Sequence, residues 1–357
     1  MNRTWSIRDF RDGDEGEIND IFNSIFIRRR SLENWYWKFT KNPEGTIMFN
    51  AVDGSRIVGH LGALNRQIAV KGKEHSALLE VDGMTHPDYG RQGIFTELGK
   101  KLLSKAKDSG ADLAYGFPNE YAMRGHKKLG CVELFKLNVM LKPVNIKKIS
   151  RKAFPNRNKA FFANIAQRFA FTVVYRTRKV KLPDGVVVKE IKEIDSKFDD
   201  FWDKVKATHN IVLRRDSTYL NWRYLQCPEK HYRVYAAERK GEVLAWVMLR
   251  TMERFGLRNG IIADMLFLPE HEDISCALVH GACEELKKED VDLIACSVPR
   301  QTRYFGVFRQ CGFMPCPDKL NPRDVYFIVY VLSDNVKRDI VSEASNWFVT
   351  WGDTDVV

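Results

Sequence analysis

An internal repeat constrains the fold of this 357-residue chain more than any other feature of its sequence. Residues 37–44 (WKFTKNPE) align with residues 222–229 (WRYLQCPE), 185 positions later. Two shorter matches follow in the same order, at 57–59 with 243–245 and at 128–131 with 310–313. Ordered matches at a nearly constant offset are typical of a duplicated unit, so the sequence predicts two copies of one fold.

Hydrophobic periodicity predicts the same alternation of strands and helices in both halves. In the first half we expect strands at 5–8, 113–117 and 131–141, hairpins at 47–64 and 66–84, and helices at 14–26, 95–109 and 120–129. In the second half we expect strands at 186–191, 260–267 and 291–297, a hairpin at 232–250, and helices at 198–207, 272–288 and 305–310. This order predicts an α/β protein of mixed α+β type, with a mostly antiparallel central sheet flanked by helices in each copy.

The positive charge of the chain lies in one segment. The formal net charge is +11, and residues 146–181 contain eleven Lys or Arg residues without any Asp or Glu. The other 321 residues are therefore formally neutral. We expect a first domain at 1–145, a basic linker or helix at 146–184 and a second domain at 185–357. Because neither copy is basic, no nucleic-acid partner is expected, although weak attachment to an anionic surface through 146–181 is an open alternative.

The cysteines and the hydropathy of the chain indicate where in the cell the protein is expected. The seven cysteines are odd in number and form no CxxC pair, which favours reduced thiols and no metal site. Charged residues interrupt the apolar runs well before the roughly 18 residues of a membrane-spanning helix. The first residues, MNRTW, lack the apolar run of a signal peptide. A cytoplasmic location without a transmembrane segment is expected.

A loop rich in glycine and basic residues follows the strand that we expect to end at Met84. Gly90, Arg91 and Gly93 come directly before an amphipathic helix. The first N–H groups of a helix and its dipole favour phosphate anions, and glycines let a ligand approach the backbone closely. The pattern predicts a phosphate-binding loop, with a simple strand-to-helix turn and a solvated Arg91 as the alternative.

Together with the preceding His86-Pro87-Asp88-Tyr89, this loop resembles motif A of the GNAT acetyltransferases, which bind acetyl-CoA. Gly93 stands at the glycine of that motif, whereas Gly90 and Phe95 depart from it at the Gln/Arg position and at the second small residue. The resemblance implies two tandem GNAT-like domains and acetyl-CoA as the co-substrate. The residues implied in binding it are Met84, Thr85, Gly90, Arg91, Gln92, Gly93, Ile94, Phe95, Thr96, Asn119 and Ala122.

A second GNAT motif, Asn-x-x-Ala-x-x-x-Tyr-x-x-x-Gly-Phe, is similar to the segment that begins at Asn119. Ala122 and Gly130 match its spacing, while His126 replaces the tyrosine and Cys131 replaces the phenylalanine. In the family, the asparagine contacts the pantetheine arm of CoA and the tyrosine protonates the leaving thiolate. The resemblance therefore implies His126 as a candidate general acid, with Tyr121 in reserve.

Two carboxylates lie on the strand before the loop. Glu80 and Asp82 are two residues apart, so a regular strand would direct both to one face. In many GNAT enzymes a carboxylate on this strand is the general base, and either residue could have that role. The alternative is that both are solvated or paired in salt bridges.

The second copy lacks the loop. Residues 268–273 (LPEHED) are acidic and contain no glycine, so they would repel a pyrophosphate. We expect a degenerate domain that holds no acetyl-CoA and either shapes the acceptor site or supports the first domain. The C-terminal segment around Trp347 and Trp351 resembles the tails of two-domain GNAT proteins linked to surface polysaccharides, which implies an amino-sugar acceptor.

These observations predict an enzyme that moves an acetyl group from acetyl-CoA to the amine of a small molecule. One alternative is an aminoacyl transferase of the peptidoglycan type, which also uses two GNAT-like domains. Another is a non-catalytic module that binds anionic surfaces through the basic segment. The identity of the acceptor, the choice between general base and acid, and the oligomeric state stay open.

Overall fold

The structure, a computed structural model, describes residues 4–26, 29–153, 181–317, 321 and 324–355. The chain forms two compact units, each assembled from three stretches of sequence. The first unit consists of Met1–Lys136, His209–Glu229 and Arg323–Trp347, and the second of Leu137–Thr208, Lys230–Pro322 and Phe348–Val357. The boundaries near residues 145 and 185 stay predictions, and most of the basic segment, 154–180, lies outside the described residues.

The described helices and strands follow the predicted periodicity in most places. The helices are α1 (Glu15–Ile25), α2 (Leu32–Phe39), α3 (Ile94–Asp108), α4 (Glu120–Lys128), α5 (Ile146–Ala153), α6 (Lys197–Lys206), α7 (Ser217–Leu220), α8 (Glu272–Lys287), α9 (Arg303–Gln310) and α10 (Arg338–Val341). The strands are β1 (Ser6–Asp9), β2 (Thr46–Asp53), β3 (Arg56–Val70), β4 (Lys73–Thr85), β5 (Leu113–Gly116), β6 (Val132–Lys136), β7 (Val139–Pro143), β8 (Val186–Ile191), β9 (Ile211–Leu213), β10 (Arg233–Arg239), β11 (Glu242–Arg254), β12 (Leu257–Phe267), β13 (Leu293–Ser297), β14 (Met314–Pro315), β15 (Tyr326–Val331) and β16 (Trp347–Phe348).

The sheet of the first unit runs in the order β1-β2-β3-β4-β5-β15-β6, and β9 pairs with the end of β3. β4 and β5 are parallel, while the other pairings described along this path are antiparallel. β15 lies between β5 and β6, although it follows them by about two hundred residues. A core on one face joins β3 and β4 to α3, with Leu61, Leu78, Ile94 and Leu98 fully or nearly fully buried.

The sheet of the second unit runs in the order β14-β7-β13-β12-β11-β10-β8. β12 and β13 are the parallel pair here, and the other pairings described are antiparallel. The expected fold class, mostly antiparallel sheets flanked by helices in two copies, is confirmed.

The repeated segments adopt related structures inside the first unit. Ser31 caps α2 and Asp216, 185 residues later, caps α7, each through a side-chain oxygen that accepts a backbone N–H. The indole N–H of Trp37 donates to the carbonyl of Trp222 at 2.8 Å, and that of Trp222 donates to the carbonyl of Trp37 at 3.1 Å. Their rings stack with centroids 5.2 Å apart. Such reciprocal bonds between equivalent residues are what a duplicated motif predicts.

Several details of the predicted elements differ from the structure. Residues 56–70, which were expected to belong to two separate hairpins, form the single strand β3. Residues 131–141, expected to form one strand, form β6 in one sheet and β7 in the other, because the chain changes sheets at Leu137 and Asn138. β15 was not expected at all. Its burial on both faces, from Phe327 to Tyr330, gives an almost continuous apolar run instead of a clean alternation.

Candidate active site

A β-bulge shapes the end of β4. The pairing of β3 with β4 shifts register between His60 and Gly62, and Asp82 adopts a left-handed backbone with φ of 53°. An extra residue in one strand breaks the alternation of side chains. The expectation that Glu80 and Asp82 share one face is therefore wrong: Glu80 contacts α4, whereas Asp82 contacts residues 30 and 38.

Glu80 is a buried carboxyl without a fixed hydrogen-bond partner. Its side chain is 6% exposed, and its Oε2 has no partner among the described residues. Burial raises the pKa of Glu80 to about 8, because the carboxylate would lose its hydration there. A carboxyl with such a pKa is mostly protonated at pH 7, and its ionised fraction, which can accept a proton from an amine, grows as the pH rises towards 8.

His126, on the buried face of α4, lies beside Glu80 of β4. Its Nε2 is 3.7 Å from Glu80 Oε1, and its Nδ1 is 2.8 Å from the hydroxyl oxygen of Tyr330 on β15. Burial lowers the pKa of His126 to about 4, so the imidazole is neutral at pH 7. Because both groups are neutral there, this contact is no ion pair. Burial, followed by the nearby Glu80, also raises the pKa of Tyr330.

Asp82 is held in a buried ion cluster. Its carboxylate contacts Arg30 and lies 2.8 Å from Lys38 Nζ. Although burial alone would raise it, these two cations hold the pKa of the Asp82 carboxyl well below its usual range. A carboxylate bound in this way is a poor proton acceptor, and its contacts match the salt-bridge alternative.

The glycine-rich loop leads into the N-terminus of α3. After a short 3-10 turn at Pro87–Tyr89, Arg91 and Gly93 both adopt left-handed backbones, with φ of 64° and 83°. Arg91, Gln92 and Gly93 are exposed, and Gly93 is the residue that precedes the helix. The first N–H groups of a helix have no intrahelical acceptor, so those of residues 94–96 are available to an anion.

Phe95, the larger of the two departures from the GNAT loop, is accommodated by two glycines. A Cβ at Gly83 would lie 2.9 Å from the Phe95 ring, and one at Gly125 would lie 2.5 Å from it. The ring also packs edge-on against His126, with centroids 5.0 Å apart. Phe95 therefore does not obstruct the N-terminus of α3, because its ring occupies space that these glycines leave open.

The other residues predicted for the site lie at the end of β4 and at the start of α4. Asn119 caps α4 by accepting the N–H of Ala122 at 3.1 Å, so its amide nitrogen is the part left to contact a ligand. Met84 is buried at the bulge and Thr85 ends β4. Tyr121 is 88% exposed, on a different face of α4 from the buried His126. Sequence reasoning missed Tyr330, whose only signal was the apolar strand pattern of 326–331.

Among the described residues, no group of three or more His, Cys, Asp and Glu side chains could hold a metal ion. Within the same part of the chain, no helix is long and apolar enough to cross a membrane. In the second unit, the segment equivalent to the loop is a 3-10 turn at Pro269–His271 that leads into α8, with Glu272 and Asp273 in the first turn of the helix.

Residues 6–131 match the family model described as "Acetyltransferase (GNAT) domain". None of the curated proteins compared with this chain is similar to it by sequence. Solved structures are similar in fold. One is a GCN5-related N-acetyltransferase from Anabaena variabilis, with a TM-score of 0.66 and 9% identity over 92% of this chain and 73% of that one.

A second similar structure is a probable N-acyltransferase from Enterococcus faecalis, with a TM-score of 0.65 and 13% identity over 92% of this chain and 72% of that one. N-myristoyltransferase from Saccharomyces cerevisiae, solved with myristoyl-CoA, has a TM-score of 0.61 and 11% identity over 92% of this chain and 83% of that one. These likenesses show the fold, and the family match covers residues 6–131. Residues 6–131 therefore match a GNAT acetyltransferase domain, and the fold of the chain, with two tandem GNAT-like domains, is similar to that of GCN5-related N-acetyltransferases. Together these findings support an acyltransferase.

Proposed function

We propose that this protein transfers an acetyl group from acetyl-CoA to the primary amine of a small molecule, with Glu80 as the proton acceptor. The observation that carries the proposal is the buried Glu80 carboxyl, with a pKa of about 8, on the strand that leads into the anion-binding loop. The acyl-CoA would supply the activated thioester. Its phosphates would bind at the N-terminus of α3, near Arg91 and Gly93.

The chain's own residues then have separate tasks. The ionised form of Glu80 accepts a proton from the ammonium group of the acceptor, and its raised pKa suits it to a donor that is itself basic. The resulting neutral amine attacks the thioester carbonyl, the C–S bond breaks, and the second proton of the amine goes to the departing CoA thiolate. Exclusion of water around Glu80 strengthens every electrostatic contact there. His126 contacts Glu80 and takes the motif position of the family's acid. Asp82 supports the bulge through Arg30 and Lys38 instead of moving a proton.

An amino sugar is the acceptor class that we propose first, on the resemblance of the C-terminal segment. The aminoacyl-transferase and surface-binding alternatives depend on the basic segment at 146–184. Because 154–180 lies outside the described residues, no described contact favours either alternative.

Calorimetry with acetyl-CoA tests the first step. We expect one site per chain, because the second unit has acidic residues where the first has its loop. Gly93→Asp places a carboxylate at the start of α3 and should weaken binding by about 1–2 kcal/mol, or roughly tenfold to thirtyfold. Gly110→Asp is the matched control, because Gly110 has a φ of 82° and follows the other end of α3. Absence of binding to the wild-type protein, or equal loss in both variants, would count against the loop.

Release of free thiol then tests transfer. A panel of amino sugars and simple amines, each with acetyl-CoA and with longer acyl-CoA thioesters, identifies the acceptor and the acyl length. Glu80→Gln keeps the shape of the side chain but cannot accept a proton, so kcat should fall about a hundredfold or more while binding of acetyl-CoA is unchanged. Turnover by Glu80→Gln at the wild-type rate would exclude Glu80 as the base.

A further inference from the structure

Tyr330 reaches the proposed proton acceptor through His126. It lies on β15, which is inserted between β5 and β6 in the sheet of the first unit. Its ring belongs to the core under α3 and α4, and its hydroxyl is 2.8 Å from His126 Nδ1. No GNAT motif in the sequence includes this residue, which is 204 positions from His126.

The acceptor available to the Tyr330 hydroxyl determines the direction of this hydrogen bond. A buried tyrosine O–H needs an acceptor, and His126 Nδ1 is the acceptor that the described residues provide. If Nδ1 carried the imidazole proton instead, the O–H would have no acceptor among those residues. The hydroxyl therefore donates to Nδ1, and the ring proton lies on Nε2, the nitrogen that faces Glu80 at 3.7 Å.

This tautomer directly affects the ionisation of the Glu80 carboxyl. An N–H that faces the carboxyl favours its ionised form, whereas a nitrogen lone pair in the same place disfavours it. Among the described residues, the neighbours of His126 also include Phe95 from α3, which carries no charge, and Cys131, which follows α4 and lies near both Glu80 and Tyr330. Lys127 and Glu133 act on Cys131 from further out.

We propose that Tyr330 is a positioning residue for acyl transfer, because its hydroxyl holds His126 in the tautomer whose Nε2–H faces the Glu80 carboxyl. The inference rests on the proposed function in that it assigns Glu80 the role of proton acceptor. It adds a residue from the C-terminal third of the chain to the site, outside both GNAT motifs.

Tyr330→Phe removes the hydroxyl and keeps the ring in the core. The midpoint of the rise of kcat/KM with pH should move upward by about one unit, so that activity at pH 7 falls about tenfold and recovers at high pH. KM for acetyl-CoA should not change. Tyr326→Phe is the matched control, because it removes a hydroxyl from the same strand, near Lys136, and should leave the profile unchanged. A purely structural effect would lower activity equally at every pH.

Two further variants test the route. In a His126→Gln background, Tyr330→Phe should have no additional effect, because the hydroxyl acts through the imidazole. In a Cys131→Ala background, the shift should persist, because the thiol is not part of the route. A shift that survives without His126, or disappears without Cys131, would overturn the proposal.

The state of His126 is also measurable without turnover. Nitrogen NMR of the histidine rings, with His126 assigned by its loss in His126→Gln, should show the Nε2–H tautomer in the wild type and a shift towards Nδ1–H in Tyr330→Phe. The same tautomer in both proteins would overturn the positioning role even if transfer is observed. If no acyl-CoA supports transfer, the proposed function fails, and this NMR comparison still decides what Tyr330 does.

Discussion

At the scale of single residues, the environment of a side chain decides its chemistry more than its identity does. Glu80 and Asp82 are both carboxylates on β4. Asp82 lies between two cations and stays ionised, whereas Glu80 lies among neutral groups and keeps its proton to a pKa of about 8. The local pattern Glu-Val-Asp could not separate these roles, because the partners Arg30, Lys38 and His126 come from other elements.

The raised pKa of Glu80 makes a prediction about stability. The unfolded carboxyl ionises near 4.5 and the folded one near 8, so the unfolded state holds fewer protons between these values. The contribution of Glu80 to stability should therefore fall as pH rises from about 4.5 to 8. Glu80→Gln cannot ionise, and at pH 7 it should exceed the wild type by up to about 3 kcal/mol, while the two are nearly equal at pH 4. Urea denaturation at both pH values measures this difference.

The control for that experiment is Glu120→Gln, at an exposed carboxyl at the start of α4. It should show no comparable gain at pH 7. If Glu80→Gln is no more stable than the wild type at pH 7, the carboxyl is ionised in the folded protein, and its assignment as a protonated group at neutral pH is wrong.

At the scale of elements, α3 and α4 approach each other through Phe95 and Gly125. Glycine in a helix interior normally weakens the helix by about 1 kcal/mol relative to alanine. Here a Cβ at Gly125 would lie 2.5 Å from the Phe95 ring, a separation that packed atoms do not tolerate. The absence of a side chain at Gly125 in α4 therefore makes room for the Phe95 ring in the first turn of α3.

This packing makes a second prediction. Gly125→Ala should destabilise the protein by about 1–3 kcal/mol, because overpacking outweighs the gain in helix propensity. Phe95→Ala in the same chain should recover part of that loss. Gly281→Ala is the matched control, because Gly281 lies inside α8 with nothing within 4 Å of its Cβ position. It should stabilise by up to about 1 kcal/mol. Thermal unfolding compares the variants, and a stabilising Gly125→Ala would show that α3 and α4 are further apart.

At the scale of the whole molecule, the first unit depends on a strand from the far end of the chain. β15 pairs with both β5 and β6, and its Ile328 and Tyr330 belong to the core of this unit. Without β15, both neighbouring strands lose a partner and the core loses two large side chains. The GNAT motifs all lie before residue 132, but the fold that carries them does not end there.

A fragment of residues 1–145 should therefore not fold cooperatively. We expect no sharp thermal transition for this fragment alone, and recovery of the transition when it is expressed together with residues 146–357, which supply β9 and β15. Circular dichroism and amide hydrogen exchange of the β5 amides measure both cases. A cooperative transition of the fragment alone would show that β15 is dispensable.

The sequence by itself determined what depends on neighbours along the chain. Periodicity located α3 and α4, turn residues located the β2–β3 hairpin, and the offset of 185 revealed the duplication. It also singled out Glu80, His126 and the loop at Gly93, since family motifs are read from local spacing. Only the tertiary structure decided the order of the strands, the bulge at Asp82 and the place of Tyr330 beside His126. These features arise from contacts between residues that lie up to more than two hundred positions apart, and the local sequence pattern carries no information about which distant strand will pair with an open sheet edge.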